Sequence, residues 1–249
     1  NLSYFRPLSE PTRYINVFIS LFSRLRDDDI SPEEYIDYVK KLEIKLTEDP
    51  QDKELQEYYL QQKEIAYAYA KYLELLENKG KVDFGNQFYL VLKLFRQHPL
   101  ILKKYQEKFK YILIDEFQDT NFAQYQLVKL LAKESKNITV VADDDQCIYR
   151  WRGAAYSNVL NFIQDFPEAK KISLLINYRS NQAILDSAYR LIQYNNPDRF
   201  EIKANINKKL IALKDGPGPQ FFYFDTHLTE TDFVAKKIKE MVEKENFKY

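Results

Sequence analysis

The chain has 249 residues, enough for one large domain or two to three smaller ones around a sizeable core. Apolar residues make up 45% and charged residues 30%; no run of about 18 uncharged apolar residues occurs that could span a bilayer, so a globular fold without a membrane span is expected. Lysine plus arginine equals aspartate plus glutamate at 37 each, which excludes a global positive field and leaves only local contacts and base stacking as a grip on a polyanion. The opening Asn1-Leu2-Ser3-Tyr4-Phe5-Arg6 shows no basic stretch leading into an apolar one, so no secretory signal is expected. Cys147 is the sole cysteine, which rules out an internal disulfide and suits the reducing cytoplasm. Two histidines and five glycines leave little material for a histidine metal site or glycine-rich repeats.

The first 80 residues read as helices only. After Pro11, the residues Ile15, Phe18, Ile19, Phe22 and Leu25 follow helical spacing and form one apolar stripe. A second helix opens at Ser31-Pro32-Glu33-Glu34, where the serine hydroxyl accepts from a free backbone N–H, Glu34 reaches back and Pro32 suits the first turn. Its stripe is Tyr35, Tyr38, Val39, Leu42 and Leu46. A longer helix follows Pro50, with Leu55, Tyr58, Tyr59, Ile65, Tyr69, Tyr72, Leu73 and Leu76 on one side, and Asn78-Lys79-Gly80 closes it. From about residue 82 the pattern changes to short apolar runs alternating with amphipathic helices. The runs, at 111–114, 138–142, 172–176 and 221–224, read as strands buried on both faces of a parallel sheet. Between them lie stripes at Tyr125, Val128 and Leu131, at Val159, Phe162, Ile163 and Phe166, and at Ile184, Leu185, Ala188, Leu191 and Ile192. Asp215-Gly216-Pro217-Gly218-Pro219 is a turn-rich connector, and a last helix starts near Thr229 with Val234, Ile238, Met241 and Val242 on its apolar face. Strand and helix in alternation predict a doubly wound α/β architecture behind an all-helical N-terminal subdomain.

In an open parallel sheet, ligands bind beyond the carboxyl ends of the strands, so the polar residues that follow the apolar runs are the ones to inspect. The first run leads into Asp115-Glu116-Phe117-Gln118-Asp119-Thr120-Asn121. Two adjacent carboxylates there can divide labour, Asp115 holding Mg²⁺ and Glu116 orienting and deprotonating a water. The same residues also read as an acidic strand end that starts a helix, with Thr120 as the cap. The second run leads into Asp143-Asp144-Asp145-Gln146-Cys147-Ile148-Tyr149-Arg150-Trp151-Arg152-Gly153-Ala154. Three consecutive aspartates repel one another unless cations or basic groups lie nearby. The aromatics alternating with arginines after them form the pattern of a base-stacking platform, or else a set of rings packed beneath a loop. The third run leads into Asn177-Tyr178-Arg179-Ser180, where an arginine suited to phosphoryl charge leaves the strand beside an aromatic and Ser180 can cap the next helix.

Taken as a set, in this order and spacing, the strings at 115–121, 142–154 and 177–180 resemble three motifs of the UvrD/Rep-like superfamily 1A helicases. The second string departs from the family pattern only at Ala142, where glycine is usual, and Cys147, where serine is usual. The resemblance implies an incomplete RecA-like P-loop NTPase sheet, with 1–81 as the helical 1B subdomain, 82–175 as the C-terminal part of the first RecA-like domain (1A) and 176–249 as the N-terminal part of the second (2A). It implies ATP and Mg²⁺ as cofactors, with Asp115 serving the metal, Glu116 the hydrolytic water and Gln146 the γ-phosphate. Gln118 would join the nucleotide-binding set, Tyr178 would stack on adenine, and Arg179 would act as an arginine finger. Trp151, Tyr149 and Arg152 would meet single-stranded or partially duplex DNA, and movement would run 3′ to 5′.

Two departures bear on these expectations. No Gly-x-x-x-x-Gly-Lys-Ser/Thr occurs, since Gly80 and Gly85 have the right separation but lead into Asn86-Gln87. The family places that loop upstream of residue 1 and further motifs beyond Tyr249, so the chain reads as a central fragment, expected to hydrolyse ATP feebly or not at all alone. Asp83-Phe84-Gly85-Asn86-Gln87-Phe88 stands where the family usually has Asp-Phe-Asp-Asp-Leu-Leu. The competing readings are a non-catalytic helicase-like scaffold or DNA-binding partner, and a different P-loop ATPase such as an RNA helicase of the DEAD-box type. The continuation through Gln118-Asp119-Thr120 and the Tyr149-Arg150-Trp151-Arg152-Gly153 string argue against the last.

Overall fold

The structure is a computed structural model that describes residues 2–148, 157–245 and 247–248. The chain divides into two compact units, Asn1–Lys170 and Lys171–Tyr249.

The first unit opens with three helices, α1 (Ile15–Asp27), α2 (Pro32–Glu48) and α3 (Lys53–Asn78). The start of α2 is the expected capping box: Ser31 Oγ accepts from Glu34 N at 3.1 Å and the Glu34 carboxylate accepts from Ser31 N at 2.8 Å. Helix α3 follows Pro50 as expected, with Asp52 as its cap, and Gly80 at φ +59° lies in the left-handed region just beyond its end, as the sequence predicts. The helices close on two small cores, one of Phe22, Leu25, Ile65 and Tyr69, the other of Val39, Leu42, Tyr59 and Ala66. Full burial of a large apolar side chain contributes about 1.5–3 kcal/mol, which is the scale on which the larger members of these cores hold the helices together. The α1 stripe is narrower than its spacing implied: Phe18, Leu21, Phe22 and Leu25 pack, whereas Ile15 and Ile19 face solvent.

Helices α4 (Phe84–Gln97) and α5 (Pro99–Lys108), not singled out by the sequence patterning, lead into the strands. Helix α4 packs on α1, α5 and α6 (Phe122–Ala132), which ties the N-terminal helices to the sheet region. Strand β1 (Ile112–Ile114) pairs in parallel with β2 (Ile138–Val140), in the register Ile112 with Ile138 and Ile114 with Val140. Helix α6 is the crossover between them, giving the expected βαβ unit. Helix α7 (Ser157–Asp165) completes the unit.

In the second unit, β3 (Ile176–Asn177) pairs in parallel with β4 (Ile211–Ala212) across α8 (Gln182–Ile192) and the short α9 (Phe200–Lys203). Helix α10 (His227–Glu245) ends it. Two strand expectations change. Residues 221–224 form no strand: Phe222 and Phe224 instead set their rings 4.7 and 5.0 Å from Phe233 of α10. The partner of β3 is Ile211–Ala212, a short apolar stretch between Lys209 and Lys214. Nor are the strands covered on both faces. Side chains alternate across a strand, and Leu113, opposite in direction to Ile112 and Ile114, is 75% exposed. Small parallel sheets among many helices make this an α/β chain with an all-helical N-terminal region.

Candidate functional site

The parallel pairing of β1 with β2 brings the two acidic strings side by side at the carboxyl ends of adjacent strands. The ladder continues one step past the strands, with Val141 N donating to Ile114 O at 2.8 Å and Phe117 N to Val141 O at 2.9 Å. The chain then turns sharply at Glu116, whose φ of +50° lies in the left-handed region that non-glycine residues seldom enter. A short 3₁₀ turn, Phe117–Asp119, follows.

That turn is held from below. Phe117 is fully buried, its ring edge-on to Tyr125 of α6 and Phe162 of α7, each at 5.6 Å. Asn121, not Thr120, caps α6, accepting from Gln124 N at 2.8 Å, while Thr120 Oγ1 donates to Phe117 O at 2.7 Å. Asn158 of α7 is wholly buried, and its amide donates to Thr120 O at 3.0 Å and Asn121 O at 3.1 Å. This clamp was not foreseen; its only sequence signal is an amide bordering the apolar stripe that begins at Val159. The Asn121 amide also donates to Asp27 of α1 at 2.8 Å. Burial and the neighbouring Asp28 charge raise the Asp27 carboxyl above its ordinary value despite Arg24, Arg26 and the Asn121 bond.

Above the clamp, Asp115 and Glu116 are exposed, with Asp115 Oδ1 accepting from Glu116 N at 3.0 Å. Gln118 is only 1% exposed, and both ends of its amide are engaged: Nε2 donates to Glu116 Oε2 at 2.7 Å and Oε1 accepts from Asp143 N at 3.1 Å. Asp143 accepts from Asp145 N at 3.2 Å and from Gln146 Nε2 at 2.8 Å. Oxygens of Asp143, Asp144 and Asp145 lie within 4.8 Å of one another. The carboxylate oxygens at the two strand ends are hard donors of the kind Mg²⁺ takes, so the residues present fit that ion.

The remaining expected residues divide by location. Tyr149, Trp151 and Arg152 lie outside the described residues. Tyr178 and Arg179, in the second unit, are both exposed at the carboxyl end of β3. Asn177 shapes their turn, its Oδ1 accepting from Arg179 N at 2.9 Å and Ser180 N at 2.7 Å. Asn181 caps α8 in place of the expected Ser180.

With this geometry in place, the comparisons with known proteins are specific. The family described as UvrD/REP helicase N-terminal domain matches residues 11–167. The chain is 40% identical over 190 residues to the ATP-dependent DNA helicase PcrA of Leuconostoc citreum, covering 76% of this chain and 24% of that protein. It is 41% identical over 200 residues to the PcrA of Staphylococcus epidermidis, covering 80% of this chain and 26% of that protein. The chain thus spans about a quarter of the length of the curated relatives it matches. A match to the family model over more than half of the chain makes it a member of the UvrD/REP helicase family.

Proposed function

We propose that the chain supplies part of the nucleotide-hydrolysing and strand-gripping machinery of an ATP-dependent DNA helicase that moves 3′ to 5′ on single-stranded DNA. The observation that carries this reading is the juxtaposition of Asp115, Glu116, Asp143 and Gln146 at the carboxyl ends of two adjacent parallel strands, joined by hydrogen bonds through Gln118. Residues 82–175 would belong to a first RecA-like domain (1A), 176–249 to a second (2A), and 1–81 to the helical insertion (1B) of the first. Mg²⁺ held through Asp115 would neutralise phosphate charge. Glu116 orients the attacking water and takes its proton, and Gln146 contacts the terminal phosphate. Tyr178 packs on the base, Arg179 donates two bonds to phosphoryl oxygens, and Trp151, Tyr149 and Arg152 stack on and ion-pair with the strand. No helix among the described residues is long and apolar enough to cross a membrane, and the cytoplasm is the proposed location.

The test is ATP hydrolysis by the whole protein, with and without single-stranded DNA, against Glu116→Gln. Loss of a positioned general base lowers turnover by about 10²–10⁴-fold, so the variant should bind ATP and DNA yet barely hydrolyse. Equal rates would remove Glu116 from the reaction. Unwinding only duplexes with a 3′ tail supports the direction, and a preference for 5′ tails reverses it.

A further inference from the structure

We infer that Gln118 is a positioning residue that transmits the state of the 143–147 loop to Glu116, so that Gln146 and the hydrolytic carboxylate move as one hydrogen-bonded unit. The inference rests on the reading of Glu116 as the group that orients water. Its path is continuous: Glu116 Oε2 to Gln118 Nε2 at 2.7 Å, Gln118 Oε1 to Asp143 N at 3.1 Å, and Asp143 Oδ2 to Gln146 Nε2 at 2.8 Å. A further bond runs alongside, from Cys147 Sγ to the Gln118 backbone carbonyl at 3.5 Å. The 3₁₀ turn after β1 is therefore tied to the loop after β2 by side chain and main chain together.

Four features make this a relay and not a chance contact. The amide can be oriented in only one way: reversed, its NH₂ would face the Asp143 N–H and its oxygen the Glu116 carboxylate, two like-with-like contacts. At 1% exposure it cannot exchange these partners for water, so losing either leaves a buried polar group unsatisfied. Phe117 and the Asn158 clamp hold the turn itself, so displacement of Asp143 N–H falls on the Gln118 side chain and then on Glu116. The Glu116 side chain is exposed, and the Gln118 amide that donates to its Oε2 at 2.7 Å gives the carboxylate a fixed direction. Residues 149–152, proposed to meet DNA, follow next in the sequence. A grip on the strand there would thus have a route to the water-orienting group through Gln118.

The sole cysteine gives a reading of the loop that needs no nucleotide. Gln118→Met preserves side-chain length and removes both amide bonds. In the 249-residue chain its Cys147 should react with a thiol reagent about threefold faster or more, because the loop opens more readily once untethered. In the whole protein its DNA-stimulated kcat should fall about tenfold or more while KM for ATP stays within about twofold, the signature of lost alignment rather than lost binding. Gln118→Glu keeps an oxygen that accepts from Asp143 N but sets a second carboxyl against Glu116, which either repels its carboxylate or shares a proton with it, so labelling should stay near the wild-type rate while kcat falls. Wild-type labelling in Gln118→Met, or wild-type kcat in either variant, overturns the inference. Should Gln118→Met fail to fold, the Gln118→Glu kcat decides alone. Failure of the functional reading is distinguishable: Glu116→Gln would then hydrolyse ATP at the wild-type rate whatever the labelling shows.

Discussion

Arg26 shows how one residue rewrites a local motif. It lies 1% exposed in α1, its Nη2 2.7 Å from Asp83 Oδ2 and its guanidinium 5.4 Å over the Tyr72 ring, while Nε and Nη1 find no hydrogen-bond partner among the described residues. A Cβ at Gly85 would come within 2.8 Å of Arg26 Nε. The glycine that departs from the family pattern therefore leaves room for a buried guanidinium, and Asp83 serves three partners, accepting also from Asn86 N at 2.8 Å and Tyr72 OH at 2.6 Å. Helix propensity alone would make Gly85→Ala stabilising by about 1 kcal/mol. Because the guanidinium is enclosed and ion-paired, overpacking should win, and chemical denaturation should show Gly85→Ala less stable by about 1–2 kcal/mol. A gain in stability would mean that Arg26 shifts freely. Sequence identified this segment as unusual, but the compensating residue lies 59 positions away in the chain and only packing reveals it.

At the scale of elements, α6 and α7 matter to the site as the base on which the Glu116 turn stands. Tyr125 of α6 donates from its hydroxyl to Asp165 Oδ2 at 2.5 Å, and Lys129 Nζ lies 2.9 Å from the same oxygen. Burial pushes the Asp165 carboxyl up, but the bonds from Tyr125 and Lys129 outweigh it and leave the value lowered from 3.8, while burial and Asp165 raise the Tyr125 phenol. A carboxylate with a lowered folded value adds stability that is fully present above its unfolded value and is lost as pH falls through the folded one. Tyr125→Phe should therefore cost about 1–2 kcal/mol at pH 7, with the difference from wild type shrinking as the solution is acidified below about pH 4. Thermal unfolding at pH 7 and in acid measures this, and a difference independent of pH would rule out the charged bond as its source. The helical periodicity of α6 and α7 was readable because 3.6-residue spacing is a local property. The caps were misplaced by one residue, at Asn121 and Asn181, because Thr120–Asn121 and Ser180–Asn181 are both plausible cap pairs and the turn upstream chooses between them.

At the scale of the whole chain, the apolar surface left open is informative. Leu113 in the first unit and Leu174 in the second are more than three-quarters uncovered or close to it, at 75% and 79% exposure, and none of the second unit's described apolar side chains is among the buried ones. The 249-residue chain should bind a hydrophobic dye, and Leu113→Lys should reduce that binding while changing stability by no more than about 0.5 kcal/mol, since the side chain already meets solvent. A large loss of stability would show that the β1 face is covered in solution. Sequence by itself determined the helices of the first 80 residues, the βαβ alternation and the chemical character of the strand-end strings, because periodicity, capping chemistry and the order of residues along a loop are written in neighbouring positions. Tertiary structure alone decided that Ile211–Ala212 and not 221–224 pairs with β3, and that Gln118 is buried between Glu116 and Asp143. It also decided that Asn158 clamps the turn on which they stand. Those outcomes depend on which distant segment supplies a hydrogen-bond partner or fills a space, and such a choice is made only when the chain is packed.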